Sequence, residues 1–389
     1  MRILLLAPHP FFQHRGTPLA EKAVLEFLSG EGHQVHVLTY HEGEDVALPG
    51  CAIQRIPRLP GVRHLRPGFS FKKLLCDLVL LGSATRLLRR ERYDLIHAVE
   101  ESVLIAAVLG RTFRIPYVYD MDSSLAEQMI ERYPWLRVMA PALSLAERHA
   151  VRRSHGVIAV CRSVEDVARH HDPLQLVARI EDSTLLRDGQ QDGGPALPSA
   201  GPVVMYVGNL ERYQGIALLI EGFAGALPRV PDARLVIVGG SARAAARYVA
   251  AARRLGVSER THFMGAQPVD RLAAFLRQAD VLVSPRLTGH NTPMKIYSYL
   301  DSGRPVIATR IPTHTQILDD EIACLVEPRP QALTDGLVEL LGNPARRLGL
   351  ASRARARVEA LYTPAAARRK LRTFYAAVEA KLQHRDPAA

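Results

Sequence analysis

The sequence predicts two successive doubly wound α/β domains, and three observations carry that expectation. Short apolar runs alternate with amphipathic helical stretches along both halves of the chain, as in a parallel sheet covered on both faces. The alternation breaks once, over Arg187 to Pro202 (RDGQQDGGPALPSAGP), a Gly- and Pro-rich stretch without periodicity that reads as a linker. The length, 389 residues, suits two domains of ordinary size.

In the first half, Ile3 to Ala7 is strand-like, Pro18 to Glu31 is an amphipathic helix, and QVHVLT (34–39) is a second strand. DLIHAV (94–99), a helix from Ser102, YVYDMD (117–122), a long helix containing Leu143 to Arg153 and GVIAV (156–160) continue the pattern. After the linker, VVMYVG (203–208), RLVIVG (234–239), THFMG (261–265), VLVSP (281–285), PVIATR (305–310) and CLVEP (324–328) are strands separated by helices. The expected domains are 1–186 and 203–365, with linker 187–202 and a terminal helix at 366–389 packing back on the first domain. Ligands of such sheets bind outside the carboxyl ends of the strands, so the site is expected in a cleft between the domains.

Composition narrows the partners. The chain has 50 Lys and Arg against 39 Asp and Glu, a net charge of +11, which favours anionic ligands or surfaces. No recognised nucleic-acid module accompanies that charge. The four cysteines form no CxxC pair and the histidines have no metal-ligand spacing, so neither a metal nor a disulfide framework is expected. The N-terminal apolar run is short and ended by Pro8, which reads as a buried strand and not a leader. A reducing cytoplasm is the expected home.

The segment GHNTPMKIYSYLDSGRPVIATR (289–310) is the most informative. Thr292 is placed to cap a helix with Pro293 at its first position. Free amides there, with Lys295 and Arg286, offer a place for phosphate; an ordinary capped helix is the other reading.

The arrangement resembles family 4 retaining glycosyltransferases of the GT-B fold. The resemblance rests on Arg15-Gly16-Thr17 after the first strand, GHQVHVLT (32–39), YVGNLERYQG (206–215) followed by LLIEGF, and Gly303 to Thr309, and it covers nearly the whole chain. It implies transfer of a sugar from a nucleotide-diphosphate donor, held by the second domain, to an acceptor hydroxyl held by the first, without a metal or other cofactor. The family's two glutamates, eight positions apart, are replaced by His290 and Ser298, and its diphosphate-binding Arg and Lys by Asn209 and Gln214. The resemblance therefore implies a variant donor site, with Lys295, Arg286, Asn291 and Thr292 at the phosphates, Asn209 and Gln214 in neutral hydrogen bonds and Ser298 by the ribose. Gly16 and Thr17 form a loop touching donor and acceptor. Among catalytic candidates, Asp122 stands where the family often has His, Glu100 matches an acidic position, and His290 replaces the first glutamate. A non-catalytic scaffold and a sugar-nucleotide epimerase are the alternative readings.

Asp120-Met121-Asp122 also spells the D-x-D of a metal site, against which the two-domain layout argues. His97 reads as a satisfied core histidine. The helix of residues 71–94 carries Lys72, Lys73, Arg86, Arg89, Arg90 and Arg92 beside leucines. It is either a solvated face or a seat on an anionic membrane. The acceptor is expected to be a saccharide or lipid-linked molecule of cell-surface polysaccharide or glycolipid synthesis.

Overall fold

The computed structural model describes residues 1–13, 16–63, 65, 70–186, 197 and 201–383. His14 and Arg15 and most of the expected linker lie outside the described residues. The chain divides into two units, Met1–Glu181 with Ala367–Ala389, and Asp182–Ala366.

The first unit runs β1 (Arg2–Ala7), α1 (Gly16–Gly30), β2 (Gln34–Thr39), β3 (Cys51–Arg55), α2 (Phe71–Arg90), β4 (Leu95–Val99), α3 (Ser102–Phe113), β5 (Tyr117–Met121), α4 (Leu125–Arg132), α5 (Ala140–Arg153), β6 (Gly156–Ala159), α6 (Arg162–His171) and β7 (Val177–Arg179). Its strands form one sheet in the order β3-β2-β1-β4-β5-β6-β7, and each pairing is parallel. Strand alternation sends Leu4, Leu6, Ile96, Ala98 and Tyr119 into a core under α2, α3, α5 and α6, and Ile3, Leu5, Val35 and Val118 into one shared with α1. β3 and β7 are edge strands that the sequence reading missed. Being partly buried, they lack the continuous apolar run that marks β1 or β4.

The second unit runs β8 (Val203–Val207), α7 (Ile216–Ala226), β9 (Arg234–Val238), α8 (Ala242–Arg254), β10 (Thr261–Gly265), α9 (Leu272–Arg277), β11 (Val281–Ser284), α10 (Lys295–Asp301), β12 (Val306–Thr309), α11 (Pro312–Thr315), β13 (Cys324–Val326), α12 (Pro330–Gly342) and α13 (Pro344–Leu361). Its sheet, again parallel, has the order β10-β9-β8-β11-β12-β13. In each sheet the winding direction reverses once, between β1 and β4 and between β8 and β11. A crevice opens at such a reversal because the flanking loops leave in opposite directions.

The last helix, α14 (Pro364–Gln383), belongs from Ala367 onward to the first unit. Phe374, Tyr375 and Val378 join the core of α1 and the sheet. The Tyr375 hydroxyl lies 2.5 Å from His97 Nδ1, and His97 Nε2 is 3.1 Å from the Asp120 carboxylate. His97 is thus a satisfied core histidine, and Asp120 of the D-x-D sequence is engaged within the sheet. Tyr375→Phe leaves a buried ring nitrogen unpaired and is expected to cost about 1–3 kcal/mol, read as a lower urea midpoint of the intact chain. An unchanged midpoint would show that the clamp contributes nothing.

Candidate functional site

Each unit gathers polar residues at the carboxyl edge of its sheet, at the reversal point. In the first unit β4 ends in Glu100, whose backbone is left-handed (φ 47°), a conformation disfavoured for a residue with a Cβ. Its N–H donates to Asp120 O (2.9 Å) and its carbonyl accepts from Val103 (3.2 Å), which hold the turn against that preference. The Thr17 hydroxyl, at the start of α1, lies 3.4 Å from Glu100 Oε1. Gly16 begins α1 and is exposed, and a Cβ added there would meet nothing within 4 Å among the described residues.

The neighbours of Glu100 come from α2. Lys73 and Asp77, one helical turn apart, face inward. Lys73 pairs with Glu101, and Asp77 accepts a hydrogen bond from the Tyr40 hydroxyl at 2.5 Å. Lys73 was expected on the outer basic face of this helix; it is instead buried, because Glu101 supplies the countercharge there. Burial pulls its pKa down, but the carboxylates of Glu101, Glu100 and Asp77 outweigh that and raise it overall. The carboxyls respond the other way. Burial, then the charge of Glu101, pushes Glu100 up to about 6, against Lys73 and His9. Burial, then Glu101, pushes Asp77 up to about 7, opposed by Tyr40 and Lys73.

His9, after β1, sits 2.7 Å from the Glu21 carboxylate in α1, and its carbonyl accepts from Thr39 at the end of β2 (2.6 Å). Asp122 follows β5 beside the end of β4 and is half-buried. Ser124 then caps α4 and joins Glu147, which His171 holds at 2.9 Å. The sequence reading did not select Tyr40, Asp77 or the His9–Glu21 pair, and took Lys73 only as part of a basic face. The signal for two of them was present: a Lys and an Asp four residues apart on the buried stripe of a leucine-rich helix.

In the second unit β8 ends at Val207, and Gly208 (φ 152°) follows. A Cβ there would stand 2.8 Å from the Tyr206 hydroxyl and 3.0 Å from Lys295 Nζ, so glycine lets the strand end close over these groups. Lys295 Nζ donates to Gln214 Oε1 (2.9 Å) and lies 4.0 Å from the centre of the Tyr206 ring. The Tyr206 hydroxyl donates to the Asn209 carbonyl at 2.6 Å. Burial, then the charge of Arg286, drives the Lys295 pKa well below the usual lysine range. Neither described partner of this ammonium is anionic.

Arg286, after β11, donates from Nε to Thr288 O (2.7 Å) and from Nη1 to Asn291 O (3.2 Å), and its guanidinium lies 5.2 Å from the Tyr213 ring centre. A Cβ at residue 289 would strike that guanidinium at 2.1 Å, which accounts for Gly289. Asn209 is exposed, its side chain accepting from Glu211 N (3.2 Å).

Two expectations need correction here, those for Thr292 and Ser298. α10 begins at Lys295, and Thr292 does not cap it: its hydroxyl is buried without a hydrogen bond, because a turn led by Pro293 precedes the helix. Ser298 is fully buried and its hydroxyl accepts the Leu185 N–H at 3.0 Å, so it fastens segment 182–186 and is closed to a ribose. His290 is exposed, in the second unit, while Asp122 and Glu100 belong to the first. Asn291 orients Arg286 through its carbonyl. Arg286, Lys295, Gln214 and Asn209 do come together at the edge of β8 and β11.

Because Asp77 and Glu100 hold protons more tightly folded than unfolded, the fold keeps extra protons between the ordinary carboxyl range and about pH 7. Stability of the first unit therefore falls as pH rises through that window. Asp77→Asn retains an oxygen acceptor for Tyr40 and removes one of these groups, leaving Glu100, Glu101 and Lys73. The variant is expected to lose less stability between about pH 5 and about pH 8 than the parent, by on the order of 2 kcal/mol. Denaturation midpoints at the two pH values check this, and parallel loss in both proteins would refute the assignment.

Comparison with known proteins identifies the family and the fold. Residues 22–180 match Glycosyltransferase Family 4, and residues 201–343 match the glycosyl transferases group 1 family. A D-inositol 3-phosphate glycosyltransferase of Corynebacterium diphtheriae is 27% identical over 305 residues, 73% of this chain and 70% of that protein. A phosphatidyl-myo-inositol mannosyltransferase of Mycobacterium leprae is 24% identical over 359 residues, 89% of each chain. Among solved structures, HepE of Anabaena in complex with UDP-glucose superposes with a TM-score of 0.72 at 16% identity, covering 97% of this chain and 99% of that one. The chain belongs to glycosyltransferase family 4 and has the GT-B fold.

Proposed function

We propose that this glycosyltransferase takes its sugar from a nucleotide-diphosphate donor bound at the β8–β11 edge and passes it, with retention, to an acceptor hydroxyl at the β1–β4 edge. The observation that carries the donor assignment is the buried ammonium of Lys295, held by Gln214 and the Tyr206 ring beside Arg286 with no anionic partner of its own described. A pyrophosphate supplies the missing negative charge. It raises the Lys295 pKa, so donor binding draws in a proton, and the cations then stabilise the charge of the departing diphosphate. Retention rests on the family resemblance.

At the other edge Glu100, turned toward Thr17 by its left-handed backbone, is suited to accept a hydrogen bond from an acceptor hydroxyl. A carboxyl near 6 is a stronger base than an ordinary glutamate. Asp122, at the neighbouring strand end, is the second candidate for that contact. No metal is assigned a role: the diphosphate charge falls to Lys295 and Arg286, and Asp120 is already bonded to His97.

A saccharide or lipid-linked acceptor of the cell envelope fits the printed activities of the relatives. It fits the surface of α2 as well. Phe71 (78% exposed), Leu74, Leu75 and Leu78 (60% exposed) recur at helical spacing on one outward face, with Lys72 beside them and Arg86, Arg89 and Arg90 further along. Such a face suits the interface of an anionic bilayer. Among the described residues no helix is long and apolar enough to cross a membrane.

Lys295→Met keeps the buried stem and removes the charge; UDP affinity measured by calorimetry is expected to fall about 10–100-fold. Unchanged affinity would reject the donor site. Vesicle flotation tests the second contact. The chain should float with phosphatidylglycerol vesicles, and Leu74→Ser with Leu78→Ser should weaken this about tenfold or more. Equal flotation of the parent with neutral vesicles, or none with either, goes against an anionic membrane seat.

A further inference from the structure

The opposite edge of the first sheet holds a feature the transfer reaction does not use. At the amino ends of β4, β5 and β6 a depression of about 1200 Å³ opens between the last turns of α3, α5 and α14. Arg111 and Arg114 line it from α3 and its cap, Arg152 and Arg153 from α5, and Lys381 from α14. Among the described residues its one lining carboxylate, Asp94, already accepts the Arg2 backbone N–H at 2.6 Å.

Cations near helix ends are ordinary, since the carbonyl end of a helix attracts them. That account covers Arg111, Arg152 and Arg153 one at a time but not their convergence. Arg114 lies beyond its helix in a left-handed cap (φ 57°), where a residue with a Cβ is disfavoured. Lys381 arrives from a helix more than two hundred residues away in sequence. All four arginines are exposed, and none has an ion pair among the described residues. Some arginines elsewhere on the surface do pair with acids, as in Arg229–Asp335 and Arg357–Asp319. A concave wall of one charge focuses potential into its own volume, and guanidinium groups match phosphate oxygens in pairs.

We propose that this depression is a second anion site, for a ligand carrying clustered phosphate groups, on the edge of the first unit remote from Glu100. The phosphates belong either to a soluble polyphosphorylated molecule or to lipid headgroups; both present the same oxygens to the same arginines. The site is independent of the donor assignment, since its residues are shared with neither carboxyl edge.

The test uses the intact chain with saturating UDP present, so that the donor edge does not contribute. Inorganic tripolyphosphate is titrated by calorimetry, and phosphatidylglycerol vesicles are tested in parallel by flotation in a Leu74→Ser, Leu78→Ser background, so that the α2 face does not contribute. The variant is Arg114→Ser with Arg153→Ser; both side chains are exposed, so the melting temperature and UDP affinity are expected to match the parent. Tripolyphosphate affinity should fall about tenfold or more in the variant and should weaken steeply with added salt. Loss of tripolyphosphate binding supports a soluble ligand, and loss of vesicle binding alone supports a headgroup. Failure of the parent to bind either probe, or binding to both that survives the substitutions, overturns the proposal. Lys295→Met separates this outcome from the donor reading, because it is expected to leave tripolyphosphate binding intact.

Discussion

Parallel pairing of every strand is the constraint from which the site follows. When all strands of a sheet run the same way, each carboxyl end lies on one edge, and the loops leaving that edge meet whatever their separation in sequence. In the first unit this joins His9, Thr17, Tyr40 and Glu100; in the second it joins Gly208, Gln214 and Arg286. The reversal of winding at β1–β4 and at β8–β11 opens a place between those loops. The same geometry sends the carboxyl ends of the crossing helices to the far edge, which is why cations accumulate around the depression there.

Two inward-facing lysines show how the surroundings of a charge decide its behaviour. Lys73 is surrounded by Glu101, Glu100 and Asp77, and its charge is reinforced. Lys295 is partly enclosed, and its described partners are an amide oxygen and an aromatic ring with Arg286 nearby, so its charge is disfavoured. A buried cation with compensation is part of the scaffold; one without it is a candidate for binding an anion. The carboxyls around Lys73 carry the cost of that scaffold, being raised in pKa by burial and by one another.

The departures from the usual family pattern acquire physical roles in this light. Gln214 accepts from Lys295 at the start of α10, so the ammonium there is held by a neutral amide oxygen. Asn209 shapes its own loop by accepting from Glu211, with its carbonyl bonded by Tyr206. Ser298, in place of a glutamate, closes a contact with Leu185 that a longer, charged side chain would not fit without desolvation.

The alternation of apolar runs and amphipathic helices was enough to determine the fold class, because burial on both faces of a parallel sheet demands continuous apolar strands. The motif order from Gly16 to Thr309 was enough to point to a glycosyltransferase. Edge strands β3 and β7, the burial of Lys73 and Asp77, the closure of Ser298 and the clustering of Arg114 with Lys381 were decided by tertiary structure alone. Each depends on which residues distant in sequence become neighbours, and a local pattern of residue types carries no record of the charge or hydroxyl that will face it.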